Sequence, residues 1–278
     1  MPEMTTVNRT PSASYGILQQ TLPGSVLDQA AEQVKNVGYA IVDSGLTVAE
    51  LKNLSDEFNH TRERYIEMHG EARLRSLNEL HTVRSPLTHG GESFLKLALN
   101  ENLLAVLKKL ISGKFILNQQ NGIINPPQET YNQSAWHRDL PYQHFVSSTP
   151  LAINALFCVD DFTLENGATF VLPASHKSEA FPSPDYVEKN AIQIEARSGS
   201  FILLDCMMFH AGGFNTTSLV RRAVNHLYNI PYFRQQINIP LGMKNRALSA
   251  EIKSILGFDE MESSSIEQYL ATRATKVS

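Results

Sequence analysis

The sequence predicts a mainly β chain flanked by helices, with a sandwich or barrel of the jelly-roll kind at its core. Three observations point there. Apolar residues recur at helical spacing through the first third of the chain. From Lys114 onward, short apolar or alternating runs are separated by turns rich in Pro, Gly and Asn, the mark of antiparallel strands. No composition break, internal repeat or low-complexity linker divides the chain, so residues 1–278 are expected to form one domain, with a loose polar arm over residues 1–20. Helices first and strands afterwards is the order of an α+β chain, or of a jelly roll with its helices outside.

Taken in order, VLDQAAEQVKNVG predicts a short helix closed by Gly38, and YAIVD a short strand. TVAELKNLSDEFNHTRERYIEM starts with Thr47 and Glu50 at capping-box spacing. Its Val48, Leu51, Leu54, Phe58 and Tyr65 form one apolar face. Residues 70–95 are polar and marked by Gly and Pro, which suits either a mobile lid or an ordinary surface connection. Asn100 caps a further helix, ENLLAVLKKLIS. FILNQQNGIIN, PLAINALFCVDDF, ATFVLPAS, AIQIEARSGSFILLD and RRAVNHLYNI then read as strands, and LSAEIKSILGF as a last short helix.

Bulk properties exclude several function classes. A net charge of −4 argues against nucleic acid as a partner, because phosphate binding wants a basic face. Cys158 and Cys206 are too few for a disulfide framework, and no cysteine pair has zinc-ribbon spacing. The first residues show no charged-then-apolar signal pattern, and no apolar run nears a membrane span, so the expectation is a soluble cytoplasmic protein. Oligomeric state is not legible.

Chemistry enters with SAWHRDLPYQHF. In His137-Arg138-Asp139, residues i and i+2 lie on one face of an extended segment and can present an imidazole and a carboxylate to one ion. Alone, such a pair is more often an ordinary surface pair. His210 ends an apolar run, where a histidine is more often a satisfied core residue. Arg221 opens another strand, where an edge charge is the plain reading. Together they suggest more: two His and one carboxylate on one face of an iron are the facial triad of non-haem Fe(II) oxygenases. An arginine one strand away can grip the distal carboxylate of a dicarboxylic co-substrate.

At these residues the chain resembles the phytanoyl-CoA dioxygenase-like branch of the Fe(II)/2-oxoglutarate oxygenases. WHRD resembles that family's proximal H-x-D. FTLENGATFVLPASH resembles its NG…PGSH segment, with Ala174 in place of the usual glycine. GSFILLDCMMFHAGGFNTTSLVRRAVNHLY resembles the distal segment, and GYAIVDSGLTVAELKNL, PYFRQQIN and LSAEIKSILGF its opening and closing portions. The likeness runs from about residue 35 to 260.

The resemblance implies a double-stranded β-helix (cupin-like jelly roll) core, with iron bound by His137, Asp139 and His210. It implies 2-oxoglutarate as co-substrate, held at its far carboxylate by Arg221, and O2 as oxidant, with succinate and CO2 released. Asn121, with Gln119 on the same face by alternation, and Asn154 are expected to contact the co-substrate. Backbone hydrogen bonds are the plain alternative for the amides. Arg222 should be structural, Arg138 should point away from the metal, and His176 should be a turn residue. Trp136, Tyr142, His144 and Asn225 are candidate substrate contacts, against plain readings as loop, edge or core residues. Two departures stand out: Gly199-Ser200 where Gly-Asp is usual, and Gly212 where some members carry a small hydroxylated residue two after the distal histidine. An intact Asp139 argues against halogenation. The expected function is hydroxylation of an unactivated C–H bond in a small polar metabolite or biosynthetic intermediate. The alternatives are desaturation, cyclisation or an acyl-CoA substrate by the same chemistry, and, from another class, a non-enzymatic jelly-roll binding protein.

Overall fold

The computed structural model describes residues 11, 13–18, 24–140 and 144–277. Most of the expected N-terminal arm lies outside them.

Helix α1 (Val26–Val37) starts where the Ser25 hydroxyl accepts the Asp28 N–H, and it stops at Gly38. Gly38 has φ +93°, and an added Cβ would meet Met208 Sδ at 2.7 Å and His176 Nδ1 at 2.8 Å. Only glycine combines that backbone with that approach. Strand β1 (Tyr39–Asp43) follows, then α2 (Val48–His69), whose capping box between Thr47 and Glu50 forms as its spacing predicts.

Residues 70–95 carry secondary structure of their own. They fold into α3 (Glu71–Ser76), strand β2 (Thr82–Arg84), α4 (Pro86–His89) and the start of α5 (Glu92–Ala98). Thr82, Val83, Leu87, Phe94 and Leu95 are buried. The polar composition hid a three-residue edge strand, too short to show alternation. Helix α6 (Glu101–Leu110) completes the helical layer.

The strands then come in quick succession: β3 (Ile116–Asn125), β4 (Ala152–Cys158), β5 (Thr169–Val171), β6 (Ile192–Ile194) after α7 (Pro184–Asn190), β7 (Ser200–Asp205), β8 (His210–Ala211) and β9 (Arg221–Asn229). Helices α8 (Ile239–Met243), α9 (Ala250–Ile255) and α10 (Ile266–Val277) close the described chain. Six strands form one antiparallel sheet in the order β1-β7-β4-β9-β3-β2, and three form a second in the order β6-β5-β8. These are the two halves of a jelly roll, and they do not close into a continuous barrel.

Each face of the large sheet has its own core. Phe157, Phe201, Val224 and Tyr228 face the helices and pack with Val34, Leu54, Phe58, Phe94 and Leu107. Ile123, Leu156, Ile202, Leu204 and Ala223 face the small sheet and pack with Val171 and Ile194. A sheet covered on both faces explains why its strands read as nearly continuous apolar runs.

Register sets what the inner face carries. Leu204, Asn154, Leu227 and Gln119 align across four strands. Ile202, Leu156, Asn225, Asn121 and Arg84 form the next row. Farther on, Arg221 pairs with Asn125. Asn125 Nδ2 donates to Gly213 O at 2.9 Å, and Asn215 Nδ2 donates to Leu219 O at 2.7 Å, which ties the turn before β9 to the end of β3.

Candidate metal centre

His137 and His210 sit directly opposite each other on neighbouring extended segments. Their backbones exchange both hydrogen bonds, at 3.0 and 3.1 Å, and so add a bridge to the edge of the small sheet. The two rings lie 4.3 Å apart. Alternation turns Asp139 to the same side as His137, and the Asp139 N–H donates to Cys206 O at 3.1 Å. Asp139 Oδ1 is 3.7 Å from His210 Nε2. One ligand atom from each of the three lies within 4.8 Å of the others, so they can hold one metal ion.

Neighbours aim all three. His137 Nδ1 faces Ala135 O at 2.7 Å, and His210 Nδ1 faces Met208 O at 3.0 Å. A carbonyl only accepts, so each Nδ1 carries the hydrogen and each Nε2 lone pair is left for the ion. Burial, with His210 alongside, holds the His137 imidazole below its ordinary value. It is therefore neutral near pH 7, as a ligand must be. Asn154 Nδ2 donates to Asp139 Oδ2 at 2.7 Å, which leaves Oδ1 facing His210.

Arg138 points away, as alternation requires. Its guanidinium lies 3.9 Å over the Phe209 ring and donates to the carbonyls of Ser175, Ser178 and Glu179. His176, in that same turn, is buried against Lys35 O and is not part of the cluster. Arg222 faces the helices, where it forms a two-pronged ion pair with Asp160.

Arg221 is 2% exposed and lines the same cavity as His137, Asn154, His210 and Asn225. Its guanidinium stacks 3.9 Å over Phe162, and Nη2 donates to Tyr131 Oη at 3.4 Å. Nε has no partner, and Arg221 forms no ion pair among the described residues. Burial pushes its guanidinium down from its ordinary value. A cation taken out of water without an anion costs several kcal/mol, so the cavity suits an anionic guest. The carbonyl oxygens of Asn121, Asn154 and Asn225 are also buried and without donors. The cavity itself measures about 30 Å³, the room of one water.

Other expected residues fall in different places. Asn121 and Gln119 do share the inner face, and both lie beyond the cavity lining. Asn154 lines the cavity while its amide holds Asp139, so its first partner is the metal ligand. Asn225 lines the cavity too. Trp136 does not: it is one residue from His137 on an extended segment and packs on the other face against Phe170 and Phe181. His144 is exposed, and Tyr142 lies outside the described residues. Tyr131, Gln133 and Thr169 line the cavity without having been expected there. Thr169 alternates with Val171 on β5, a readable signal. Tyr131 and Gln133 sit in an irregular loop that offers none.

A His-Asp-His cluster between the sheets of a jelly roll defines the class: it is the donor set of a non-haem iron oxygenase. Residues 34–223 match the phytanoyl-CoA dioxygenase (PhyH) family, and the chain belongs to it. Over 251 residues it is 30% identical to an uncharacterized protein of Mycobacterium tuberculosis, covering 87% of this chain and 91% of that one. Among solved structures, iron-bound EctD from S. alaskensis has a TM-score of 0.62 at 18% identity, over 80% of this chain and 82% of that one. SnoK, a non-haem α-ketoglutarate-dependent carbocyclase from nogalamycin biosynthesis, has a TM-score of 0.59 at 17% identity, over 81% and 94%. At such identities the solved structures show a shared fold.

Proposed function

We propose that this protein is an Fe(II)/2-oxoglutarate-dependent dioxygenase that hydroxylates an unactivated C–H bond of a small polar metabolite or biosynthetic intermediate. One observation carries the reading: a three-ligand metal cluster shares its cavity with a buried arginine that has no ion pair. His137 Nε2, His210 Nε2 and an Asp139 oxygen hold the iron. Arg221 offers its planar fork to the distal carboxylate of 2-oxoglutarate. When bound, iron and 2-oxoglutarate together supply the activation of O2 that oxidises the C–H bond, with release of succinate and CO2.

The chain's own residues position and shield. Asn154 fixes the Asp139 carboxylate, and Ile123, Leu156 and Leu204 give the cavity apolar walls that keep water out. Asn225 lines the cavity and offers its amide to the substrate, with Asn121 and Gln119 farther along the same face. Arg84, in the same row, is already paired with Glu79 (Nε to Oε2, 2.7 Å). Amides and a neutralised cation favour a neutral polar substrate over an acyl-CoA, whose phosphates want a basic surface.

Ring closure is the second reading, since SnoK, on a similar fold, is described as a carbocyclase. Product analysis by mass separates the two: hydroxylation adds one oxygen to the substrate, and ring closure removes two hydrogens. The parent oxygenase reading is tested without any substrate. Anaerobic protein with Fe(II) and 2-oxoglutarate is expected to show a weak visible charge-transfer band, and His137→Ala to lose it. A parent protein with no band, and with iron affinity equal to that of His137→Ala, would sink the reading.

A further inference from the structure

We propose that Tyr131 is a second co-substrate-binding residue: its phenolic O–H and the Arg221 guanidinium together clamp the distal carboxylate of 2-oxoglutarate. The inference rests on the dioxygenase reading above and adds a residue to it.

Hydrogen-bond accounting is the first support. Tyr131 is 8% exposed and lines the cavity beside Arg221, His137 and His210. A phenol has one hydrogen to give and lone pairs to accept. Arg221 Nη2 uses the accepting side, at 3.4 Å, and no acceptor for the hydroxyl hydrogen is found among the described residues. Burial pushes the phenol up from its ordinary value, so it keeps that hydrogen at neutral pH. A buried donor without an acceptor, next to a buried cation without an anion, is a pair of defects that one carboxylate repairs.

Space is the second support. Gly212 faces the ring, and a Cβ built there would run into Tyr131 Oη and stand 2.9 Å from Cζ. Position 212 is where the sequence departs from the hydroxylated residue its resemblance implies. The phenol of Tyr131, reaching in from the loop after β3, fills the space such a side chain would take. Tyr131 thus presents its hydroxyl in the cavity that Gly212 and Arg221 also line. A side chain at 212 would force the Tyr131 ring to shift.

The test compares two 2-oxo acids on the anaerobic iron-loaded protein, read by titration of the charge-transfer band. Tyr131→Phe keeps the ring and removes only the hydroxyl. It is expected to weaken 2-oxoglutarate about ten- to a hundredfold, the effect of losing a hydrogen bond to a charged group. Iron affinity and the affinity for 2-oxobutanoate, which lacks the distal carboxylate, are expected to stay within about twofold of the parent. Equal weakening of both acids, or no weakening of 2-oxoglutarate, overturns the role given to Tyr131 and leaves the dioxygenase reading standing. A parent protein that shows no band with 2-oxoglutarate overturns both.

Discussion

Asp139 has two oxygens, and the fold gives each a different task. Oδ2 accepts from Asn154, while Oδ1 faces His210 and is free for an ion. Asn154 would therefore act on a bound metal through the carboxylate it holds. Removing such an outer hydrogen bond typically costs ten- to a hundredfold in metal affinity. Asn154→Ala should bind Fe(II) or Co(II) more weakly by about that factor, measured by anaerobic titration, with its circular dichroism unchanged. Metal affinity equal to the parent's would mean that the backbone alone positions Asp139. At this scale the sequence was legible where a parity rule applies and was applied. His137, Asp139 and the outward Arg138 follow from alternation. The same rule sends Trp136 outward with Arg138, so the expectation that Trp136 borders the substrate conflicted with its own premise. Tyr131 was out of reach because a loop has no period.

Strand β3 shows how an element can hide its order. ILNQQNGIIN has polar residues on both faces, since Gln120 points to the helices while Gln119 and Asn121 point inward. A bulge between Leu117 and Gln119 shifts parity midway. The alternation from Asn121 to Gln119 survives because the bulge lies outside that pair. On the helix side, Gln120 joins three elements. Its Oε1 accepts from the Leu87 N–H at 2.9 Å, and its Nε2 donates to Phe94 O and to His226 Nε2, each at 2.8 Å. His226 Nδ1 in turn faces Ala155 O at 3.1 Å, so the imidazole is neutral and both nitrogens are used. Burial pushes His226 down to about 4. In the unfolded chain it protonates near its ordinary value of about 6.5. The stability it contributes is therefore whole above about pH 6.5 and is lost as pH falls towards 4. Between pH 7.5 and 5 the loss from this one group is about 2 kcal/mol. Urea unfolding at the two pH values should show the parent losing about that much more than His226→Gln. Equal losses would place the acid sensitivity elsewhere, His81, His89 and His176 being retained in both proteins.

At the scale of the whole molecule, the site is made by pairings that no local pattern announces. The ligands come from the edge of the small sheet, while Asn154 and Arg221 come from β4 and β9 of the large one. Strand runs and helix caps were readable one by one, because periodicity and capping are local. The order β1-β7-β4-β9-β3-β2 was not, because it joins segments more than a hundred residues apart. That Arg221 shares a cavity with His137 came from family resemblance, and register supplies the physical cause. This arrangement makes metal binding a matter for the fold as a whole. An ion held by the cluster would join His137, Asp139 and His210, and Asp139 is fastened through Asn154 to the centre of the large sheet. Unfolding scatters these ligands, so metal binds the folded state and stabilises it by mass action. At a hundredfold excess over its dissociation constant, an O2-inert ion such as Co(II) should add about 2.7 kcal/mol. For a chain of this length that corresponds to a rise in melting temperature of about 5 °C. Differential scanning calorimetry should show the rise in the parent and none in His137→Ala or Asp139→Ala. A rise of equal size in those variants would mean that the ion binds elsewhere, and the link drawn here between the cluster and the two sheets would fail.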